Sequence, residues 1–114
     1  MEELTVERDQ GVLMFRSAGE ITLESAPAYK AKLETALGGE RPEIVIWDLS
    51  GVTFIDSSGI GLLVASSTRS QSCGSHFYLY RPSDQVRKIL SLVKLIDFFN
   101  IIENEVDLGT ILPE

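Results

Sequence analysis

The run Ile44-Val45-Ile46-Trp47 leads through Asp48-Leu49-Ser50-Gly51-Val52-Thr53-Phe54-Ile55-Asp56 into Ser57-Ser58-Gly59-Ile60-Gly61-Leu62-Leu63-Val64-Ala65. Its first four residues are apolar and mostly β-branched, with no alternation. Such a run predicts a strand covered on both faces, hence a central strand of a mainly parallel sheet. From about Ser57 to Gln71, Ile60, Leu62, Leu63, Val64 and Ala65 take up much of a helix's girth, and Gly74 is placed to end it. Asp48 to Asp56 then reads as the connection. A buried strand feeding a buried helix points to an α/β domain.

Toward the N-terminus, Leu4 to Glu7 and Val12 to Arg16 are two short β-type runs around Asp9-Gln10-Gly11, the pattern of a hairpin. Gly19-Glu20-Ile21-Thr22 reads as a loop. From about Glu24 to Leu37, Ala26, Tyr29, Leu33 and Leu37 recur at helical spacing, with Pro27 in the first turn and Gly38-Gly39 as the stop. Toward the C-terminus, His76 to Tyr80 is a strand, and Pro82-Ser83 opens a helix with Val86, Ile89, Leu90 and Val93 on one stripe. Phe98 to Ile102 reads as a short edge strand, and Leu108, Ile111 and Leu112 mark a last short helix. The order ββαβαβαβα predicts one α/β domain over residues 1–114, a mixed, mainly parallel sheet with packed helices. Loops after Arg16, Leu49 and Tyr80 would leave the carboxyl ends of parallel strands. That brings Glu20–Glu24, Asp48–Ser58 and Arg81–Ser83 to one edge, where such sheets keep their sites.

Acidic residues outnumber basic ones by 17 to 10, a net charge of −7. That sign disfavours nucleic acid and anionic membrane as main partners and suits a basic protein surface. Cys73 and His76 are single residues of their kinds, so an intrachain disulfide, a cysteine zinc site and a histidine cluster are all excluded. Met1-Glu2-Glu3-Leu4 lacks the basic, then apolar start of a signal peptide, and the longest apolar stretch, Ile60 to Ala65, is too short to span a bilayer. The expectation is a cytoplasmic protein without membrane insertion.

Asp56 or Ser57 is positioned to cap the second helix, which by itself accounts for Asp-Ser-Ser before an apolar run. Gly59 and Gly61 fit that reading poorly, since each costs roughly 1 kcal/mol in a helix. They suggest close approach to the backbone by a strand or a partner, so cap and functional site both remain open. Enzyme readings lack parts. Ser57 has glycine two residues after it but not two before it, and His76 starts a strand at the wrong edge for a base. Gly59-x-Gly61 has no following Lys-Ser/Thr for phosphates. Asp48 lacks the acidic cluster of a phospho-acceptor aspartate and reads as a hydrogen-bond anchor for its loop. No catalytic residue, metal site or cofactor is expected.

The stretch from Asp48 to Leu63, with Gly19-Glu20-Ile21 and Ala26-Pro27-Ala28 upstream, resembles the STAS domain of anti-sigma factor antagonists and of the cytoplasmic parts of sulfate transporters. The resemblance covers nearly the whole chain, and its stand-alone length is similar to the bacterial antagonists. It implies phosphorylation of the serine directly after the aspartate, Ser57, by an anti-sigma factor that is also a serine kinase. The unphosphorylated form would hold that kinase and free a sigma factor for transcription, and a serine phosphatase would reset it. Glu20, Thr22, Asp48, Asp56, Ser57, Ser58, Gly59 and Gly61 are the partner-binding candidates it implies. Thr22 stands where the family often has aspartate, and Val93-Lys94-Leu95 where it often has Ser-Gly-Leu. The alternatives are a scaffold subunit of a stress-signalling or lipid-transport complex and, from another class, a small nucleotide-binding domain.

Overall fold

Val45, Trp47 and Leu49 face one side of a sheet while Ile44 and Ile46 face the other, so the sheet is covered twice. The computed structural model describes residues 3–112, and the ends of the expected 1–114 domain lie outside them. The elements are β1 (Glu3–Asp9), β2 (Val12–Ile21), α1 (Ala26–Leu37), β3 (Ile44–Ile55), α2 (Ser57–Ser72), β4 (His76–Tyr80), α3 (Asp84–Leu92), a 3-10 turn at Ile96–Phe98, β5 (Asn100–Ile102) and α4 (Glu105–Ile111). The strands lie in the order β1-β2-β3-β4-β5. Only β1 and β2 pair antiparallel; the other neighbours are parallel. This is the expected α/β class and element order, with β3 central.

The hairpin turns tightly at Gln10 and Gly11, with φ of 49° and 81°. Both residues are left-handed, as a two-residue turn matched to strand twist requires. On the main face, Leu13, Phe15, Trp47, Leu63, Leu79, Val86 and their neighbours form the core beneath α1, α2 and α3. Trp47 is fully buried, and its indole N–H donates to Ser17 Oγ, which satisfies two buried polar groups at once. Ser66 and Ser70 are buried on α2 and donate to the carbonyls of Leu62 and Ser66, so small polar side chains pack there without orphaned groups. On the other face α4 packs, laying Leu108 and Ile111, with Leu112 just after it, over Ile44, Ile46, Tyr80 and Ile102.

Two expected loops are strand. β2 runs through Ser17–Ile21 and β3 through Asp48–Ile55, so Glu20 and Asp48 are strand residues. The register between them shifts twice, between Arg16 and Ala18 and between Gly19 and Glu20. These irregularities break the two-residue alternation and let polar residues and glycine sit in strands. Likewise Phe98 belongs to the 3-10 turn, and β5 begins only at Asn100.

Candidate functional site

β2 and β3 outrun β4. Pairing of β3 with β4 ends at Asp48 and Tyr80, while pairing with β2 continues to Ile21 and Ile55. The two strands deliver their ends, the loop Thr22–Ser25 and the start of α2, to one place. Asp56 joins them. Its Oδ1 accepts from the N–H groups of Ser58 and Gly59 at 2.9 and 3.0 Å, capping α2. Its Oδ2 accepts from Leu23 N–H at 3.1 Å, and its own N–H donates to Ile21 O at 3.2 Å. Partial burial pushes the Asp56 carboxyl up, but the N–H groups of Gly59, Leu23 and Ser58 outweigh it and hold the group below the ordinary aspartate value.

Gly59 is required by space. A Cβ there would lie 2.5 Å from Ile55 Cγ1 and 2.6 Å from Ile21 O, so the helix can cross the strand ends only without a side chain. At Gly61 no strand approaches: a Cβ there meets nothing within 4 Å, because the residue is exposed on α2 and its backbone is open to solvent. Ser57 is the first residue of α2 and exposed, while Ser58 is half-buried. Thr22 builds the adjoining turn through its backbone: its N–H donates to Ser25 Oγ at 2.9 Å and its carbonyl accepts from Ser25 and Ala26 N–H at 3.1 and 2.7 Å. That construction does not depend on an acidic side chain.

Between α1 and α2 runs a groove of about 430 Å³, lined by Leu23, Ala26, Pro27, Lys30, Ser58, Gly61 and others. Leu23, on the loop that Asp56 holds, is 70% exposed, and Phe54, three residues before Ser57, is 43% exposed. The sequence reading did not single them out. Their signal was hidden because the strand irregularities remove the alternation that would have marked Phe54 as outward.

Asp48 is not brought to this place: it lies eight residues before Asp56, roughly 26 Å down the strand by the usual rise. There it accepts from Ser50 N–H and Oγ at 2.9 and 2.7 Å and faces Arg16 Nε at 3.7 Å, with Arg16 also bonded to Glu7 at 3.1 Å. Arg81–Ser83 leaves the sheet level with Asp48 for the same reason, the short β4. Among the described residues, no group of three or more His, Cys, Asp or Glu side chains is gathered to hold a metal ion, and no helix is long and apolar enough to cross a membrane.

Comparison with known proteins agrees with this architecture. A relative named anti-sigma F factor antagonist, from Lysinibacillus sphaericus, is 29% identical over 77 residues, which are 68% of this chain and 66% of that protein's own length. A crystal structure of an anti-sigma factor antagonist from Mycobacterium paratuberculosis is similar with a TM-score of 0.84 at 24% identity, covering 96% of this chain and 92% of that one. The Bacillus cell fate determinant SpoIIAA, solved in its phosphorylated form, is similar with a TM-score of 0.74 at 22% identity, covering 96% of this chain and all 100% of that one. The STAS domain family model matches residues 3–108, and on that match the chain belongs to the STAS domain family.

Proposed function

We propose that this chain is an anti-sigma factor antagonist, a binding module switched by phosphorylation of Ser57. The observation that carries the reading is an exposed serine hydroxyl at the first position of a 16-residue helix, on a strand end locked by Asp56. Exposed Leu23, on the loop bonded to Asp56, and exposed Phe54, near the end of β3, would supply the apolar contact a protein partner needs. A partner kinase would transfer the γ-phosphoryl group of its own ATP to Ser57 Oγ, leaving ADP and releasing the hydroxyl proton to a base of the kinase. A serine phosphatase would hydrolyse the ester with water and restore the hydroxyl. The chain itself contributes the acceptor and no catalytic group, which makes it a substrate and ligand rather than an enzyme.

Phosphate adds about −1.5 to −2 charges at neutral pH. The helix N-terminus favours an anion by about 0.3–1 kcal/mol, which offsets repulsion from Asp56 and leaves the fold intact. At an interface shaped for a hydroxyl, the same dianion must shed water without a partner, at a cost of several kcal/mol, and each ~1.4 kcal/mol is tenfold in affinity. Phosphorylation therefore ends binding without unfolding the module. Thr22, Ser58 and Gly61 border the contact, while Gly59 and Asp56 shape it from beneath. Glu20 sits on the strand just before the loop, where it meets a partner's rim.

The test is capture of partners from source cells by the unphosphorylated chain, then phosphorylation by the captured kinase and mapping of the phosphate. Capture of a serine kinase, phosphate on Ser57 and loss of binding afterwards support the reading. Phosphate on Ser58 alone, or capture of membrane transporter subunits unaffected by phosphate, overturns it in favour of a scaffold.

A further inference from the structure

On the flank of α1 away from Ser57, a second groove of about 470 Å³ lies between α1 and the edge strand β1. Val6, Leu13, Ala31 and Ala36 make its walls. Val6 is 39% exposed and Ala31 is exposed, where a surface helix and an edge strand ordinarily carry charge. Thr35 also lines it, with its hydroxyl donated to Ala31 O at 3.0 Å within the helix. The chain carries a net charge of −7, yet both charged residues lining this groove, Arg8 and Lys32, are cations.

Those cations are held at its two ends. Lys32 Nζ donates to Leu4 O at 3.1 Å. Arg8 donates from Nη1 to Glu40 O at 2.6 Å and from Nη2 to Ala36 O, in the last turn of α1 and just beyond. Leu4 and Arg8 are four residues apart on β1, roughly 13 Å at the usual rise. Arg8 commits both terminal nitrogens to these carbonyls. An ammonium has three donors, so Lys32 keeps two for a ligand.

We propose that this groove binds a single-chain anionic amphiphile, a fatty-acid carboxylate, with the acyl chain along the apolar walls and the head group on Lys32. Apolar walls with a few fixed polar groups are the usual composition of small-molecule sites. Charge selects the ligand's sign, since both charged residues lining this groove are cations, whereas the α1–α2 groove offers a single one, Lys30, and is the competing site in the test. A peptide adding as a strand to β1 is the weaker fit, because Lys32 already covers the Leu4 carbonyl of that edge.

The experiment is an amide NMR titration of the full chain with sodium dodecanoate below its micelle concentration, repeated with decanoate and with dodecanol. The expected result is saturable shifts at Val6, Ala31 and Ala36, and a gain of about twofold to fourfold in affinity per added methylene. Lys32→Gln and the neutral dodecanol should each lose about tenfold, and Lys32→Arg should keep binding. Ala31→Trp, which fills the groove from an exposed position, should abolish the shifts while the protein's melting curve is retained. Unsaturable shifts, equal affinity for dodecanol and dodecanoate, or shifts confined to the α1–α2 groove would overturn the proposal. None of these readouts depends on the role of Ser57.

Discussion

Leu23 and Asp56 stand 33 residues apart and are joined by one hydrogen bond, Leu23 N–H to Asp56 Oδ2 at 3.1 Å. The other oxygen of that carboxylate caps α2, so the loop and the helix share one anchor. Asp56→Ala removes the cap and frees the loop together. The expected loss is about 1–3 kcal/mol in urea unfolding, the sum of a lost cap and newly unpaired N–H groups. Asp56→Asn keeps an acceptor and should lose less. Equal stability of Asp56→Ala and the parent would show that the anchor is not needed.

The same carboxylate sets a pH response. Its folded pKa is lowered, with partial burial opposing and the N–H groups of Gly59, Leu23 and Ser58 prevailing. A lowered carboxylate stabilises fully above the unfolded value, about 3.9, and the contribution fades as pH falls through the folded value. Stability should therefore decline below about pH 4, and Asp56→Asn should show a shallower decline over that window. Parallel acid-unfolding curves for the two proteins would count against it.

The two glycines of α2 should respond in opposite directions. Gly59→Ala drives a methyl group against Ile55 and the Ile21 carbonyl, and a backbone carbonyl cannot rotate aside. A loss of about 1–3 kcal/mol is expected, as for overpacked cores. Gly61→Ala points into open space and should gain up to about 1 kcal/mol from helix propensity alone. Thermal melts of both variants decide the matter; a tolerated Gly59→Ala would mean that α2 can lift off the strand ends.

Gly74 and Lys94 do the same job at two helix ends. After α2, Gly74 at φ 85° donates to Gln71 O and Ser75 donates to Ser70 O, both at 2.9 Å. After α3, Lys94 at φ 61° donates to Ser91 O at 3.1 Å and Leu95 to Leu90 O at 2.8 Å. Both are the paired closing bonds of a left-handed helix stop, which favours glycine. Lys94→Gly should stabilise by about 0.5–1 kcal/mol, and Gly74→Ala should destabilise by a similar amount or more. A Lys94→Gly protein that melts below the parent would contradict this.

Ser57 separates binding from stability. Ser57→Ala should bind the kinase partner and resist release, and Ser57→Asp should bind at least tenfold more weakly yet melt within about 0.5 kcal/mol of the parent. Calorimetry with the captured partner reads the first effect and thermal unfolding the second. Loss of stability in Ser57→Asp comparable to the loss of binding would mean that the charge acts by unfolding the helix.

Much of the fold was legible because strong periodic signals agreed with one another. Ile44 to Trp47 announced a doubly covered strand, and Tyr29, Leu33 and Leu37 announced the buried face of α1. What was not legible is where β2 and β3 stop. Ser17-Ala18-Gly19-Glu20 and Asp48-Leu49-Ser50-Gly51 carry turn residues, and only long-range pairing across two register shifts turns them into strand. Read as a connection, that stretch put Asp48 close to Asp56, whereas it stands in mid-strand. The cap before the apolar helix followed from local chemistry and was legible, and the folded chain shows that Asp56 rather than Ser57 supplies it. Leu23 and Phe54 were not legible, because exposure of an apolar side chain depends on tertiary packing. The Val93-Lys94-Leu95 departure lies at the end of α3, and only φ reveals that Lys94 takes the left-handed conformation there.

β3 has two lives along its length. Up to Asp48 it is an interior strand with neighbours on both sides, and beyond Asp48 its β4 flank has no strand partner. Its second half is thus an edge strand, although it continues the most central strand of the domain. Edges invite pairing with other chains unless guarded, and the register irregularities along this half bend it away from a flat edge. Amide exchange should therefore change sharply within this single strand, slow from Val45 to Asp48 and faster toward Phe54. The helix that carries Ser57 hangs from the faster half, so the module can yield at its tip while its base stays closed.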